Sequence, residues 1–450
     1  MAWKRFFALL SVFLLPLLLS GCMMMASVEE LYALPQPPDE YQALSRQIDA
    51  ILADRAEITS PAYGSNLQSV QLEDLDGDGV SEAIVFFRKN EDERPMKVYI
   101  FRETDGIYEQ AALIEGSGTS IHSISYLDMN GDGSRELLIS WRISAQVQAL
   151  SVYTLDKLQP VLLMSAAYVR YETVDLDGDD MLELVVLRGD EGETGTSLAD
   201  YYDWDGASLL LHSSARLSVS LGELHWMQIG ALESGEAAVF VTGRVAGVEE
   251  TSRAVTDILI FREGELNNVV LSQSTGMSSQ VARFLNIQPA DIDGDGATEV
   301  PKPASLIPVK AGDEMWKVYW FGYTTDGSSA SSALTYHNLT DSWYLMIPEE
   351  WDGRFTVSQD NTSTSEHATT FYSLSGRNVY EKLFTIYTIV GDNREAQASR
   401  GGRRILRRQF NAVYAVEFAP YYDEWRYAVD QDDLIARFNA IITQWSTGEE

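Results

Sequence analysis

Asp74-Leu75-Asp76-Gly77-Asp78-Gly79-Val80-Ser81-Glu82 stands between two runs of strand-forming residues, Val70 to Leu72 and Ala83-Ile84-Val85-Phe86-Phe87. The pattern Asp-x-Asp/Asn-Gly-Asp-Gly/Asp-x-x-Glu returns three times. Asp128-Met129-Asn130-Gly131-Asp132-Gly133-Ser134-Arg135-Glu136 leads into Leu137-Leu138-Ile139. Asp175-Leu176-Asp177-Gly178-Asp179-Asp180-Met181-Leu182-Glu183 leads into Leu184-Val185-Val186-Leu187, and the last copy is Asp291-Ile292-Asp293-Gly294-Asp295-Gly296-Ala297-Thr298-Glu299. Carboxylates crowded this closely repel one another unless a hard cation neutralises them. Calcium suits such a loop, because it takes six to eight oxygen ligands and tolerates irregular geometry. Positions one, three and five would give side-chain oxygens, position nine a carboxylate, and position seven (Val80, Ser134, Met181, Ala297) a backbone carbonyl. An EF-hand also begins Asp-x-Asp-x-Asp-Gly, but it needs its Glu at position twelve and helices on either side. Here the acid falls at position nine and both flanks read as strand. Up to four structural calcium ions are expected.

The loop starts are separated by 54, 47 and 116 residues. The last interval is about double, and a degenerate copy lies inside it: Leu224 to Glu236, then Ala237-Ala238-Val239-Phe240-Val241, with most of the acids gone and no ion expected. After each loop comes a third strand, a turn and a fourth strand. Asp105-Gly106, Asp205-Gly206, Glu263-Gly264 and Asp326-Gly327 mark these turns, a strong hairpin signal. Five units of four antiparallel strands follow, a period that signals a propeller or an array. The fold expected is mainly β: a β-propeller over 57–340, then a small α+β domain over 341–450.

The loop with its strand flanks resembles the calcium-binding loop of the FG-GAP/VCBS family of β-propellers. The resemblance implies that each loop joins the first two strands of a blade and that its calcium is structural.

Lys4 and Arg5 precede a fourteen-residue apolar run, Phe6 to Leu19. It is short for a membrane span and right for a signal peptide over residues 1–21. Leu19-Ser20-Gly21-Cys22 resembles the lipobox of bacterial lipoproteins, which implies that Cys22 is the lipidated mature N-terminus and that the protein is extracytoplasmic. Cys22 is the only cysteine, so no disulfide can form. A tether over 22–38 holds Pro35, Pro37 and Pro38. A helix over 39–56 follows, with Tyr41, Leu44, Ile48, Ile51 and Leu52 on one face, expected to pack on the propeller.

Thirty-three Lys and Arg stand against 67 Asp and Glu, a formal charge of −34. Nucleic acid, which needs a basic footprint, is excluded as a partner. Beyond Ser342 the loop pattern stops. Strands are expected at 354–358, 369–374, 383–390 and 412–418, and a closing helix over 431–445 with Leu434, Ile435, Phe438, Ile441, Ile442 and Trp445 as its stripe and Asp430 as N-cap. One basic cluster breaks the acidity. Arg403, Arg404, Arg407 and Arg408, with Arg394 and Arg400 nearby, could contact an anionic polymer, or simply pair with propeller acids. The five histidines lack zinc-ligand spacing, and there is no Gly-x-Ser-x-Gly elbow and no Walker loop. His122 and His225 hold similar places before their loops, which suggests packing. The function expected is a lipid-anchored surface binding or scaffold protein that contacts a glycan or protein. The alternative is a glycan-active hydrolase or lyase with carboxylates in the propeller channel.

Overall fold

The structure, a computed structural model, describes residues 41–189, 197–245, 253–272, 274–310, 312–375 and 378–441. The expected signal segment, Cys22 and the tether lie outside the described residues, as does the chain beyond 441. Among the described residues no helix is long and apolar enough to cross a membrane.

The chain is mainly antiparallel β, arranged in six sheets. Unit one pairs Val70–Glu73, Glu82–Arg88, Met96–Thr104 and Ile107–Gly116, with Glu57–Ile58 sharing the outer edge of Glu82–Arg88. Unit two runs Ser120–Leu127, Glu136–Arg142, Gln148–Asp156, Gln159–Tyr168. Unit three runs Arg170–Val174, Glu183–Gly189, Ser197–Trp204, Leu209–Leu217. Unit four runs Val219–Ala231, Ala237–Val245, Arg253–Arg262, Glu265–Asn268, with Val281–Arg283 added beside Arg253–Val255. Asp105-Gly106 and Glu263-Gly264 have positive φ at both residues, the geometry that suits the twist of a two-residue hairpin. At Asp205-Gly206 and Asp326-Gly327 only the glycine does, and the strands close over longer turns, Trp204 opposite Leu209 and Tyr323 opposite Ser329.

The second strand of units one to four has an apolar run without alternation because both its faces are covered. Leu137 and Ile139 pack towards Ile84 and Phe86 of unit one, while Leu138 packs towards Leu184 and Val186 of unit three. Val185 and Leu187 then meet Val239 and Val241 of unit four, and Phe240 meets Val300 and Tyr323 of unit five. The sheets are thus stacked in chain order. Each fully buried Phe, Leu, Ile or Val in these seams contributes about 1.5–3 kcal/mol. The remaining face of unit one (Ala83, Val85, Phe87, Tyr99, Phe101) is covered by the helix Gln42–Ala53 through Leu44, Ile48 and Ile51. Gln47 Nε2 donates to the Tyr108 carbonyl at 2.9 Å. Among the described residues no core cluster joins unit one to unit five.

Unit five departs from the expected four strands. Its first strand shrinks to a single bridge, Ala290 to Glu299, and Val300–Ser305 begins the sheet. Pro289, Pro301 and Pro303 remove donors that a ladder there would need. The sheet continues instead at its other side. Trp316–Tyr323 and Ser329–Asn338 are followed by Trp343–Met346 and then by Phe438–Ala440, so one hydrogen-bonded sheet runs across the boundary expected at 340/341. The closing helix is also shorter than expected. It spans Gln431–Ala436, with Asp430 accepting from Asp432 N–H as N-cap, and gives way to strand at Phe438. Phe438 is worth more against Trp343 and Tyr414 than on a helical stripe. Tertiary packing overrides the local period. The last sheet orders Phe355–Asp360, Glu366–Ser375, Asn378–Val390, Ala412–Phe418 and Arg404–Arg408, and shares an aromatic core with unit five.

Candidate metal centres

The four acidic loops fold alike, each within a strand-to-strand turn. Position one accepts the N–H of position six: Asp74 from Gly79 at 2.9 Å, Asp128 from Gly133 at 3.0 Å, Asp175 from Asp180 at 3.1 Å, Asp291 from Gly296 at 3.1 Å. Position three (Asp76, Asn130, Asp177, Asp293) accepts from position five at 3.0–3.3 Å. Position five (Asp78, Asp132, Asp179, Asp295) accepts from Val80, Ser134, Met181 and Ala297 at 2.8–2.9 Å. Position six sits at positive φ, and in the third loop Asp180 adopts it at 70° where the others have glycine. Asp and Asn are the non-glycine residues that tolerate this best. Asp175 and Asp291 accept loop N–H groups on both oxygens, from Gly178 and Asp180 for the one and from Gly294, Asp295 and Gly296 for the other.

Position nine closes the centre. Glu82, Glu136, Glu183 and Glu299 are 0–1 % exposed. In each, Oε2 accepts the N–H of position two (Leu75, Met129, Leu176, Ile292) at 2.7–3.0 Å. In each, Oε1 is buried without a hydrogen-bond partner, as is Asp74 Oδ1. The Thr154 and Tyr201 hydroxyls approach Glu136 and Glu183 without completing a bond. Burial first, and the neighbouring aspartates second, push all four carboxyls up, Glu183 and Glu299 to about 7. A buried carboxylate oxygen with no donor is costly, and a bound cation is its natural partner. Carboxylate oxygens of Asp175, Asp177, Asp179 and Glu183 lie within 4.8 Å of one another, as do those of Asp74, Asp76 and Asp78 and of Asp291, Asp293 and Asp295. These clusters could hold a divalent metal ion. The second loop brings two aspartates together with Asn130, whose amide bonds Asp132 at 3.1 Å, so its charge is lower.

Several features escaped the sequence. The loops are laced together: Arg135 N–H, at position eight, donates to the Leu75 carbonyl at 2.9 Å, and Leu182 N–H to Met129 at 2.8 Å. Thr298 N–H reaches Ala231 in the degenerate repeat at 2.8 Å. A Cβ on Gly77 would stand 2.6 Å from the Gly133 carbonyl oxygen, so the first two loops touch backbone to backbone. The residue facing each loop from the third strand was missed as well. Arg102 pairs with Asp78 and lies 3.4 Å from Asp76. The degenerate loop is a tight turn, Leu232 N–H to Glu236 at 2.9 Å, with no acidic cluster among its described residues.

The arginines beyond residue 390 are mostly engaged. Arg403 makes two 2.9 Å bonds to Glu366 and stacks 3.5 Å from the Tyr387 ring centre. Arg404 pairs with Asp432 and Arg408 with Glu395. These partners belong to the last sheet and its flanking helices, not to the stacked units. Arg407 is exposed. His122 and His225 do occupy matching places, each skipped in the register of a first strand, and each lies against a ring: Tyr63 at 4.5 Å and Phe284 at 4.2 Å. Two concavities stand out on the described surface. A cavity of about 30 Å³ lies between units four and five, lined by Trp226, Phe284 and Phe321. A shallow groove of about 640 Å³ is lined by Asp352, Arg354, Tyr421, Glu424, Trp425 and Tyr427. There Arg354 and Arg426 lie 4.5 and 5.5 Å from the Tyr427 ring centre.

No family model matches the chain, and no curated protein is similar to it. Among solved structures, a GDP-Man-dependent mannosyltransferase from Leishmania mexicana is similar at 12 % identity with a TM-score of 0.22, over 58 % of this chain and 89 % of that one. So slight a likeness bears on neither fold nor function.

Proposed function

We propose that this chain is a bacterial, lipid-anchored, extracytoplasmic binding or scaffold protein built on calcium-stabilised blades of the FG-GAP/VCBS propeller type. The observation that carries the metal reading is the position-nine glutamate: four times over, one buried oxygen is held by a backbone N–H and the other has no partner, and the Glu183 carboxylate lies within 4.8 Å of the oxygens of Asp175, Asp177 and Asp179. Up to four calcium ions would tie first strand to second in units one, two, three and five. Asp and Glu oxygens on a mobile-tolerant loop suit calcium better than magnesium, which demands a stricter octahedron. The blade reading is supported by the four-stranded units stacked in chain order. The helix Gln42–Ala53 covers the face of the first unit that no other unit meets, the device an open stack of repeats needs at its end, and this favours an array over a closed ring. The lipobox supports the anchor at Cys22. The shallow groove around Trp425 and Tyr427 supports contact with a surface glycan or protein, because such rings anchor binding faces.

Calcium removal is the direct test. At 1 mM calcium a site of about 0.1 mM affinity adds about 1.4 kcal/mol to stability, so EGTA is expected to lower the melting temperature by several degrees. An unchanged melting temperature overturns the metal reading. Cys22→Ala is expected to release the protein from membranes, and unaltered fractionation overturns the anchor.

A further inference from the structure

Each carboxylate loop is overlooked by one residue of the third strand of its own unit, and that residue differs in charge from unit to unit. The register fixes the position. Ala83 lies opposite Phe101, Leu137 opposite Tyr153, Leu184 opposite Tyr202 and Val300 opposite Phe321. The residues that follow are Arg102, Thr154, Asp203 and Gly322. Next to this point the fourth strand carries one extra residue in all four units: Ala111, Leu163, His212 and Ser332 are passed over in the pairing. Unit four, which lacks the acidic loop, pairs its third and fourth strands without that break. A bulge adds twist and re-aims side chains, so it accompanies the loop for a geometric reason.

The chemistry at this position spans a full charge reversal. In unit one the Arg102 guanidinium pairs with Asp78 and lies 3.4 Å from Asp76 Oδ2. In unit two Thr154 is neutral. In unit three Asp203 follows Tyr202, the partner of Leu184, and so stands beside the loop's closing Glu183 with its own negative charge. In unit five Gly322 leaves the space to the Glu233 carboxylate of the preceding unit. The first and third loops otherwise offer the same donors, three aspartates and a glutamate, and both have a buried glutamate oxygen without a partner. The two loops differ also at position six, Gly79 against Asp180, and of their two glutamates only Glu183 lies within 4.8 Å of its aspartates' oxygens, so substitution of the third-strand residue within each loop is what isolates its effect.

We propose that this residue tunes how tightly its loop holds a divalent cation, so that the third loop, overlooked by Asp203, fills before the first, overlooked by Arg102. Arg102 acts as a tethered counter-ion that an incoming metal must displace from Asp76 and Asp78. Asp203 acts as an additional anion that draws the metal in. The proposal rests on the metal reading above. Loop affinity follows ligand charge, and a unit charge a few ångströms from a divalent ion is expected to change affinity on the order of tenfold at a protein surface.

The test is calcium titration of the full chain by calorimetry, with ions counted by native mass spectrometry. Asp177→Asn and Asp76→Asn assign the third-loop and first-loop steps. Arg102→Thr, which copies unit two, is expected to tighten the first-loop step about tenfold, and Asp203→Thr to weaken the third-loop step about tenfold. Both side chains are part-exposed, so neither change disturbs the core. If the wild-type chain binds no calcium, the metal reading and this inference fall together. If it binds calcium but both variants leave every step within twofold, or if Asp177→Asn removes a weaker step than Asp76→Asn does, only this inference falls.

Discussion

Glu299→Gln is expected to change sign with the solution. The Glu299 side chain has no exposed surface. One oxygen accepts from Ile292 N–H at 2.9 Å, the other has no partner, and Asp291, Asp293 and Asp295 surround it. In EGTA this is a buried anion among anions. An unsatisfied buried polar atom costs about 1–3 kcal/mol, and more when charged. The aspartates beside it are exposed, so water softens the penalty towards the lower end of that range. Glutamine keeps an oxygen for Ile292 and turns an NH2 towards the aspartates, so the variant should be about 1–2 kcal/mol more stable than wild type without metal. In saturating calcium the same change removes a charged ligand. A loss of about 10- to 100-fold in affinity is about 1.4–2.8 kcal/mol, and the variant should be the less stable protein. Urea unfolding of both chains at a pH well above the value of about 7 to which burial raises this carboxyl, once in EGTA and once in 10 mM calcium, reads both differences. A difference of the same sign and size in the two solutions would refute the reasoning.

Other outcomes follow from groups remote from the loops. Asp257, fully buried, accepts from Ser218 N–H at 2.7 Å, Ser218 Oγ at 2.6 Å, Val219 N–H at 3.1 Å and Asn268 Nδ2 at 2.9 Å. Asp257→Ala orphans two backbone donors where unit three passes into unit four, and should cost about 4 kcal/mol in urea unfolding; a loss under about 1 kcal/mol contradicts this. His337 lies between Trp320 and Tyr344 with both ring nitrogens buried and unpartnered, and burial lowers its pKa from 6.5 to about 4. The unfolded chain takes that proton first, so stability should fall as pH drops from 6.5 towards 4. Between pH 7 and pH 5 wild type should lose about 1–2 kcal/mol more than His337→Phe; parallel pH profiles would exclude the effect. Arg403→Ala should cost about 2–3 kcal/mol through its Glu366 bonds and Tyr387 stack, whereas Arg407→Ala should stay within about 0.5 kcal/mol. Equal losses at both would mean that the basic cluster acts as one body.

The loops were legible because their code is local: nine residues contain the donors, the glycines and the closing acid. Strand identity was legible for the same reason, since stretches such as Ala83 to Phe87 can only be an enclosed strand. The residues overlooking the loops were not legible, because Arg102 and Asp203 reach them through a pairing register some twenty residues downstream, and a one-residue bulge decides which side chain arrives. Counting on from the closing glutamates Glu82 and Glu183 puts Arg102 and Asp203 in one column, but Thr154 falls out of it and unit two has no Asp-Gly turn to restore it. Pro289, Pro301 and Pro303 did carry a signal against a first strand in unit five. The helix expected to 445 failed for the opposite reason. Leu434, Ile435 and Phe438 satisfy a helical period, yet Phe438 serves a partner strand almost a hundred residues away, and a local period cannot report that competition.

The return of Phe438–Ala440 to Trp343–Met346 has a practical corollary for dissecting the molecule. A chain cut after residue 340 would lose both outer strands at once and bare the whole flank of Ser329–Asn338, an unpaired row of amides and carbonyls ready to template association. The two halves share a selvage rather than a hinge. A severed front half that clumps would report a torn margin and not a failure of its stacked sheets to fold.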